Sequence, residues 1–269
     1  MKSEGGYMEA APSPAGAVSL TTAPSLSVVI PVHNEVANVG PLLAQASASL
    51  KDVPHEIIFV DDASTDGTVA ELNKLRTQTP FLRILRHASQ AGQSAAMHTG
   101  ARAARGAWVG TLDGDGQNDP ADLVKLWRTA ESESDQAAGL YIGHRVSRHD
   151  NGVRIISSRV ANGVRKRLLR DSVPDSGCGV KLFRRDVFLS MPYFDHMHRF
   201  LPALIQRENL AVRSVPVGHR PRQAGRSKYG VMNRLWVGIV DLCGVMWLLR
   251  RRRNAGKVTE VGLDGGDSD

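Results

Sequence analysis

Cysteine is nearly absent from this 269-residue chain: Cys178 and Cys243 are the only two and lie far apart. That excludes a disulfide framework and a thiolate metal cluster, and it fits a reducing compartment. An apolar run long enough to span a bilayer is also missing. The most apolar stretch, Val231 to Leu249, contains Arg234 and Asp241. Its Trp236–Leu249 part would reach only about 21 Å as a helix, against about 30 Å for a bilayer core. Lys2 is followed by Glu4 and Glu9 with no apolar segment behind them, so no secretory signal is expected. Basic residues without aromatic interleaving argue against a nucleic-acid partner. No internal repeat is present.

Hydrophobic residues make up 42% and charged residues 23%, the balance of a globular protein. The formal charge of +7 is unevenly placed, with Arg and Lys concentrated after Arg145 and an unbroken run at Arg250-Arg251-Arg252-Arg253. Such a bias favours an anionic partner: nucleic acid, acidic lipid or a phosphorylated substrate. Residues 1–24, rich in Ala, Pro, Ser, Gly and Thr without apolar periodicity, are expected to be a disordered tail. A single α/β domain is expected over 25–230, a membrane-associating helix over 231–253 and a flexible tail over 254–269.

The short apolar runs 26–30, 56–60, 82–85 and 108–112 predict strands, the first ended by Pro31. Helical spacing falls between them, at 38–50, 68–75, 93–105 and 121–131. This alternation predicts a Rossmann-like, mostly parallel sheet flanked by helices. In such sheets ligands bind beyond the C-terminal strand ends. Polar clusters follow three strands at that edge: His33-Asn34-Glu35, Asp61-Asp62 and Asp113-Gly114-Asp115.

Asp113 and Asp115, two residues apart at a strand end, can face one site, and Gly114 allows close backbone approach. Hard oxygens of this kind suit Mg²⁺ or Mn²⁺ shared with substrate phosphates. The competing explanation is an ordinary polar turn. Asp61 and Asp62 repel one another, so something must compensate for them; Asp62 is the functional candidate, while Ser64 and Asp66 are expected to cap the following helix. A receiver domain also carries paired acids, but after its first strand, and no matching phosphoacceptor and lysine accompany them here.

LSVVIPVHNE, EIIFVDDASTDGT and GTLDGDGQNDP, in that order, resemble the GT-A catalytic domain of glycosyltransferase family 2. Gly143-His144-Arg145, Asp175-Ser176-Gly177-Cys178-Gly179 and the segment from Arg222 to Lys228 are similar to the polyprenyl-phosphate branch of that family, typified by dolichyl-phosphate mannose synthase. The resemblance implies that Pro31, His33, Glu35, Val60 and Asp62 line a nucleoside pocket, with His33 where the family often has Tyr. It implies that Asp113 and Gly114 meet the ribose or metal shell, and that Asp115 and Gln117 ligate the metal. Arg145, Arg222 and Lys228 would hold phosphates of the donor or lipid acceptor, as fixed cations do. The implied activity moves a hexose from a GDP- or UDP-sugar to a polyprenyl phosphate with inversion. A hydroxyl acceptor, with Asp175 as base, is the alternative; a non-catalytic nucleotide-sugar-binding or scaffold protein is another. The Gln-x-x-Arg-Trp motif of polysaccharide synthases is missing, which argues against processive chain growth.

Within 231–249, Asn233, Arg234, Gly238, Asp241 and Gly244 share a narrow helical stripe. That suits a helix lying in a membrane interface or packing against a membrane partner, with the arginines on anionic lipid at the cytoplasmic face of the cell membrane. A separate membrane-anchor protein would be an optional further partner.

Overall fold

The computed structural model describes residues 24–133, 138–146, 163, 167–169, 171, 173–218, 220 and 231–251, with side chains omitted for 231–236. The expectations for residues 1–23 and 252–269, and for Arg222 and Lys228, lie outside the described residues.

β1 (Leu26–Val32), β2 (His55–Asp61), β3 (Leu82–Arg86) and β4 (Trp108–Thr111) alternate with α1 (Val36–Ser49), α2 (Thr68–Arg76) and α3 (Gln93–Ala103). Then come α4 (Pro120–Ser132), β5 (Ala138–Arg145), β6 (Lys181–Arg184), α5 (Arg185–Ser190), a 3-10 turn over Met197–Arg199, α6 (Leu201–Arg207), β7 (Ala211–Val217) and α7 (Val231–Arg250). The seven strands form one sheet in the order β3-β2-β1-β4-β6-β5-β7. β1 pairs in parallel with β2 and β4, whereas β6 runs antiparallel to both β4 and β5. The strands are apolar on both faces because helices cover both: α1 packs beside α2 and α4, and α3 packs on β1 and β2 beside α5. Ile57, Ile58 and Phe59 are fully buried, and each such side chain contributes about 1.5–3 kcal/mol.

Two local expectations are corrected. Pro31 does not end β1; it stays in the strand opposite Val60. Val29 accepts from Leu112 N–H, so by alternation Pro31 faces the β4 side, beyond the last β1–β4 pair at Val29–Thr111, where no N–H is needed. Ser64 does not cap α2 either. Gly67 holds the N-cap position, and the Ser64 hydroxyl instead accepts from Asn34 N–H at 2.8 Å. Asp66 does serve the helix start, its Oδ1 accepting from Thr68 N–H at 2.9 Å.

Candidate active site

Three βα loops interlock at the C-terminal edge of β1, β2 and β3. Asn34 and Ala63 both adopt left-handed backbone, φ 56° and 57°. That lets the Asn34 side-chain oxygen accept from Thr65 N–H at 2.7 Å, while His33 Nδ1 lies 2.7 Å from the Asp62 carbonyl. A carbonyl only accepts, so Nδ1 carries a proton, and Nε2 lies 3.4 Å from Asn34 Nδ2. Glu35 is the N-cap residue of α1, and its Oε2 accepts from Asn38 Nδ2 at 2.6 Å. Pro31 is half-buried in this wall; Val60 is fully buried and backs it from within the core.

The paired acids have separate compensators, both delivered by the end of β3. Asp61 lies 3.2 Å from Arg86 and accepts from Ser64 N–H. Asp62 Oδ1 accepts from His87 Nδ1 and Ala91 N–H, and Oδ2 from Gly92 N–H, all at 2.8 Å. Burial works against its ionisation, but the N–H groups of Ala91 and Gly92 and the His87 ring together hold its carboxyl below the usual range. Asp62 therefore fixes the 91–92 backbone at this edge.

The 113–119 loop is built from its own side chains. Asn118 Oδ1 accepts from Asp113 N–H at 2.8 Å, Asp115 Oδ1 from Gln117 N–H at 3.1 Å, and Asp119 caps α4. A Cβ on Gly114 would sit 2.7 Å from the Pro31 carbonyl oxygen, so only glycine lets this loop lie on β1. Asp113 Oδ1 accepts from Gln93 Nε2 at 2.9 Å, and its other oxygen rests against the backbone of Gly179, where a Cβ would overlap it. Burial and the neighbouring Asp115 push the Asp113 carboxyl up, opposed by Lys181, Gln93 and Arg145. Gln117 Nε2 donates to the Arg220 carbonyl at 3.3 Å, which leaves its side-chain oxygen as the open donor atom.

Among the described residues no group of three His, Cys, Asp or Glu could cage a metal. The donor set is two carboxylates in one another's field plus one amide oxygen. That composition fits Mg²⁺ or Mn²⁺, which take one or two carboxylates and complete their shell with phosphates and water.

Arg145, at the end of β5, grips Asp175 with both forks: Nε to Oδ2 at 2.7 Å and Nη2 to Oδ1 at 3.0 Å. Asp175 is thereby a positioner of Arg145; protonating it would break a bidentate ion pair, which makes it a poor base. The structure thus brings His33, Glu35, Asp62, Asp113, Asp115, Gln117 and Arg145 to one sheet edge. The sequence reasoning missed His87, Gln93 and the buried Lys181. The signal was present for the first two, since the polar stretch His87–Gln93 follows the third strand just as the other clusters follow theirs. Lys181 carries no such signal, because a lone lysine in an apolar strand has no spacing to read.

An α/β protein with a β6-interrupted parallel sheet and this edge is a GT-A-type fold. Two solved structures share it at the level of fold. A glucosyl-3-phosphoglycerate synthase from Mycobacterium tuberculosis, in complex with Mn²⁺, UDP-Glc and glycerol 3-phosphate, superposes with TM-score 0.62 at 18% identity, covering 87% of this chain and 82% of that one. A mannosyltransferase from Pyrobaculum calidifontis, in complex with GDP-Man and Mn²⁺, gives 0.58 at 19%, covering 77% and 59%. The chain belongs to glycosyl transferase family 2, whose pattern matches residues 27–190. It is 35% identical over 237 residues to the dodecaprenyl-phosphate galacturonate synthase of Rhizobium johnstonii, covering 86% of this chain and 69% of that protein. It is 32% identical to the undecaprenyl-phosphate 4-deoxy-4-formamido-L-arabinose transferase of Edwardsiella ictaluri, covering 77% of this chain and 63% of that protein. The chain therefore spans about two thirds of the length of these relatives. The sequence resemblance to the polyprenyl-phosphate branch is matched by both, and the protein is a glycosyltransferase.

Proposed function

We propose that this enzyme moves a hexose from a nucleotide sugar to a polyprenyl phosphate, with inversion, to supply a lipid-linked sugar for envelope glycan synthesis. The observation that carries it is the meeting of the Asp113-Gly114-Asp115 loop and the Arg145–Asp175 clamp at one sheet edge. Pro31, His33, Glu35 and Asp62 would form the nucleoside side, with Val60 behind them. Asp115 and Gln117 would hold Mg²⁺ or Mn²⁺, which when bound neutralises the donor diphosphate. Arg145 is a fixed cation for an acceptor phosphate; Arg222 and Lys228 follow Arg220, whose backbone is bonded to Gln117. An acceptor phosphate is anionic near neutral pH, so positioning and charge neutralisation suffice without a strong base. A hydroxyl acceptor would need a base, and Asp175 is engaged by Arg145.

No described helix is long and apolar enough to cross a membrane. α7 would lie on the cytoplasmic face, with Val237, Ile239, Val240 and Trp247 exposed for lipid. This arrangement does not require a separate anchor protein.

The test is a screen of radiolabelled GDP- and UDP-sugars against a short polyprenyl phosphate with Mn²⁺, separating lipid-extractable from soluble product. One donor should give lipid product, and Asp115→Asn should lower that rate at least about 100-fold. Full metal-dependent activity in Asp115→Asn, or label found only on a soluble acceptor, would sink the proposal.

A further inference from the structure

Lys181 is an anomaly that the proposed chemistry does not absorb. It is 3% exposed on β6, and burying an ammonium costs several kcal/mol unless its surroundings compensate. Its register places it between the two strands that deliver the site, opposite Thr111 on β4 and Ile142 on β5. Asp113 lies two residues beyond Thr111, and Arg145 three beyond Ile142. The Lys181 ammonium donates to the Cys178 carbonyl, and among the described residues it forms no ion pair. One further tether holds the same turn: Thr111 Oγ1 donates to the Gly179 carbonyl at 2.8 Å. The turn of residues 175–179 is thus pinned at three points: Asp175 by Arg145, Gly179 by Thr111, and Cys178 by Lys181. Its two ends do different work, since Asp175 orients Arg145 while the Gly179 backbone backs the Asp113 carboxylate.

We propose that Lys181 is a positioning residue for sugar transfer: by holding the Cys178 carbonyl it sets the depth of the 175–179 turn, and so the spacing between the Asp113 and Arg145 sides of the site. Burial lowers the pKa of the ammonium, and Cys178, Asp113 and Asp175 oppose that lowering. The inference rests on the proposed transfer reaction for its kinetic consequence, but not for its structural one.

The experiment compares wild type with Lys181→Met and Thr111→Val. Methionine keeps the length of the side chain and removes the donor to the Cys178 carbonyl; valine removes the second tether and leaves every charge in place. Three readouts are taken: hydrogen exchange of the 175–180 amides, Mn²⁺ binding in the presence of UDP or GDP by electron paramagnetic resonance, and kcat for lipid product. In Lys181→Met, exchange at 175–180 should rise at least tenfold while β1 and β2 are unchanged. Mn²⁺ binding should weaken about tenfold and kcat fall about 100-fold. Thr111→Val should shift each in the same direction by less. Unchanged exchange at 175–180 in Lys181→Met overturns the proposal, as does a loss of kcat that merely tracks the unfolded fraction while Thr111→Val behaves as wild type. If wild type makes no lipid product or binds no Mn²⁺, the proposed function fails instead, and the exchange result still decides the role of Lys181.

Discussion

At the scale of single residues, the site is held by hydrogen bonds that leave few polar atoms idle. His198 illustrates how far this extends beneath the surface. Its Nδ1 lies 2.7 Å from the hydroxyl of the fully buried Ser94, and burial drives its pKa well below the ordinary histidine value. A folded-state pKa below the unfolded one means the unfolded chain binds the extra proton, so stability rises with pH in that window and falls as pH drops below about 6.5. The slope from this residue should approach about 1.4 kcal/mol per pH unit about one unit or more below that value. Urea midpoints measured between pH 7.5 and 5 should show it, and His198→Gln should flatten it; an unchanged slope in the variant would show that other groups carry it. The residues themselves were legible to different degrees. Asp113, Asp115 and Asp62 stood out because acids directly after an apolar strand need a reason. Ser64 misled because a hydroxyl near a helix start has two competing uses, and the neighbouring loop claimed it.

At the scale of elements, α3 organises more of the site than its Ala-rich sequence suggests. The residues that lead into it give Ala91 and Gly92 N–H to Asp62, Gln93 to Asp113, and Ser94 to His198. The helix can do this only because Gly100 lets it lie close on β1; a Cβ there would fall inside the Val29 side chain. Gly100→Ala should therefore destabilise the fold by about 1–3 kcal/mol through overpacking. It should also raise the KM for the donor severalfold. Denaturant titration with donor kinetics checks both, and a destabilised variant with unaltered KM would separate α3 from the site. Helix spacing predicted α3 itself, but not its contacts, because Gln and Ser at a helix start are ordinary in any sequence.

At the scale of the whole molecule, α7 packs on the body through Val245, with Leu242, Met246, Leu248 and Leu249 partly buried beside it, and through a polar contact. Val245 is buried, and Asp241 lies 3.2 Å from His196 in the loop before the 3-10 turn. The Asp241 that interrupted the apolar segment in the sequence thus faces the protein, while Val240 and Trp247, 66% and 60% exposed, face outward on one stripe. Arg251 sits over the Trp247 ring at 5.6 Å. With the arginine run behind it, this face should bind anionic vesicles. Each arginine near such a surface is worth about 1 kcal/mol at low salt. Replacing Arg250 to Arg253 with Gln should weaken sedimentation with anionic vesicles at least about 100-fold, and Val240→Asn should weaken it without changing the salt dependence. Equal binding to neutral and anionic vesicles would contradict this use of the basic run.

The sequence by itself determined the alternation of strands and helices and which strand ends carry acids, because both follow from local apolar patterning and from the rarity of acids beside buried strands. It also marked the family, through three motifs in order. Only the tertiary structure decided which groups answer those acids. His87, Gln93, Gly179 and Lys181 come from the loop after β3, the start of α3, the turn before β6 and β6 itself, and they meet at one edge because parallel crossovers and one antiparallel strand bring distant segments together. No local spacing records that meeting. The physical reason is that a polar group declares its partner only when burial forces the pairing, and burial is a property of the assembled sheet.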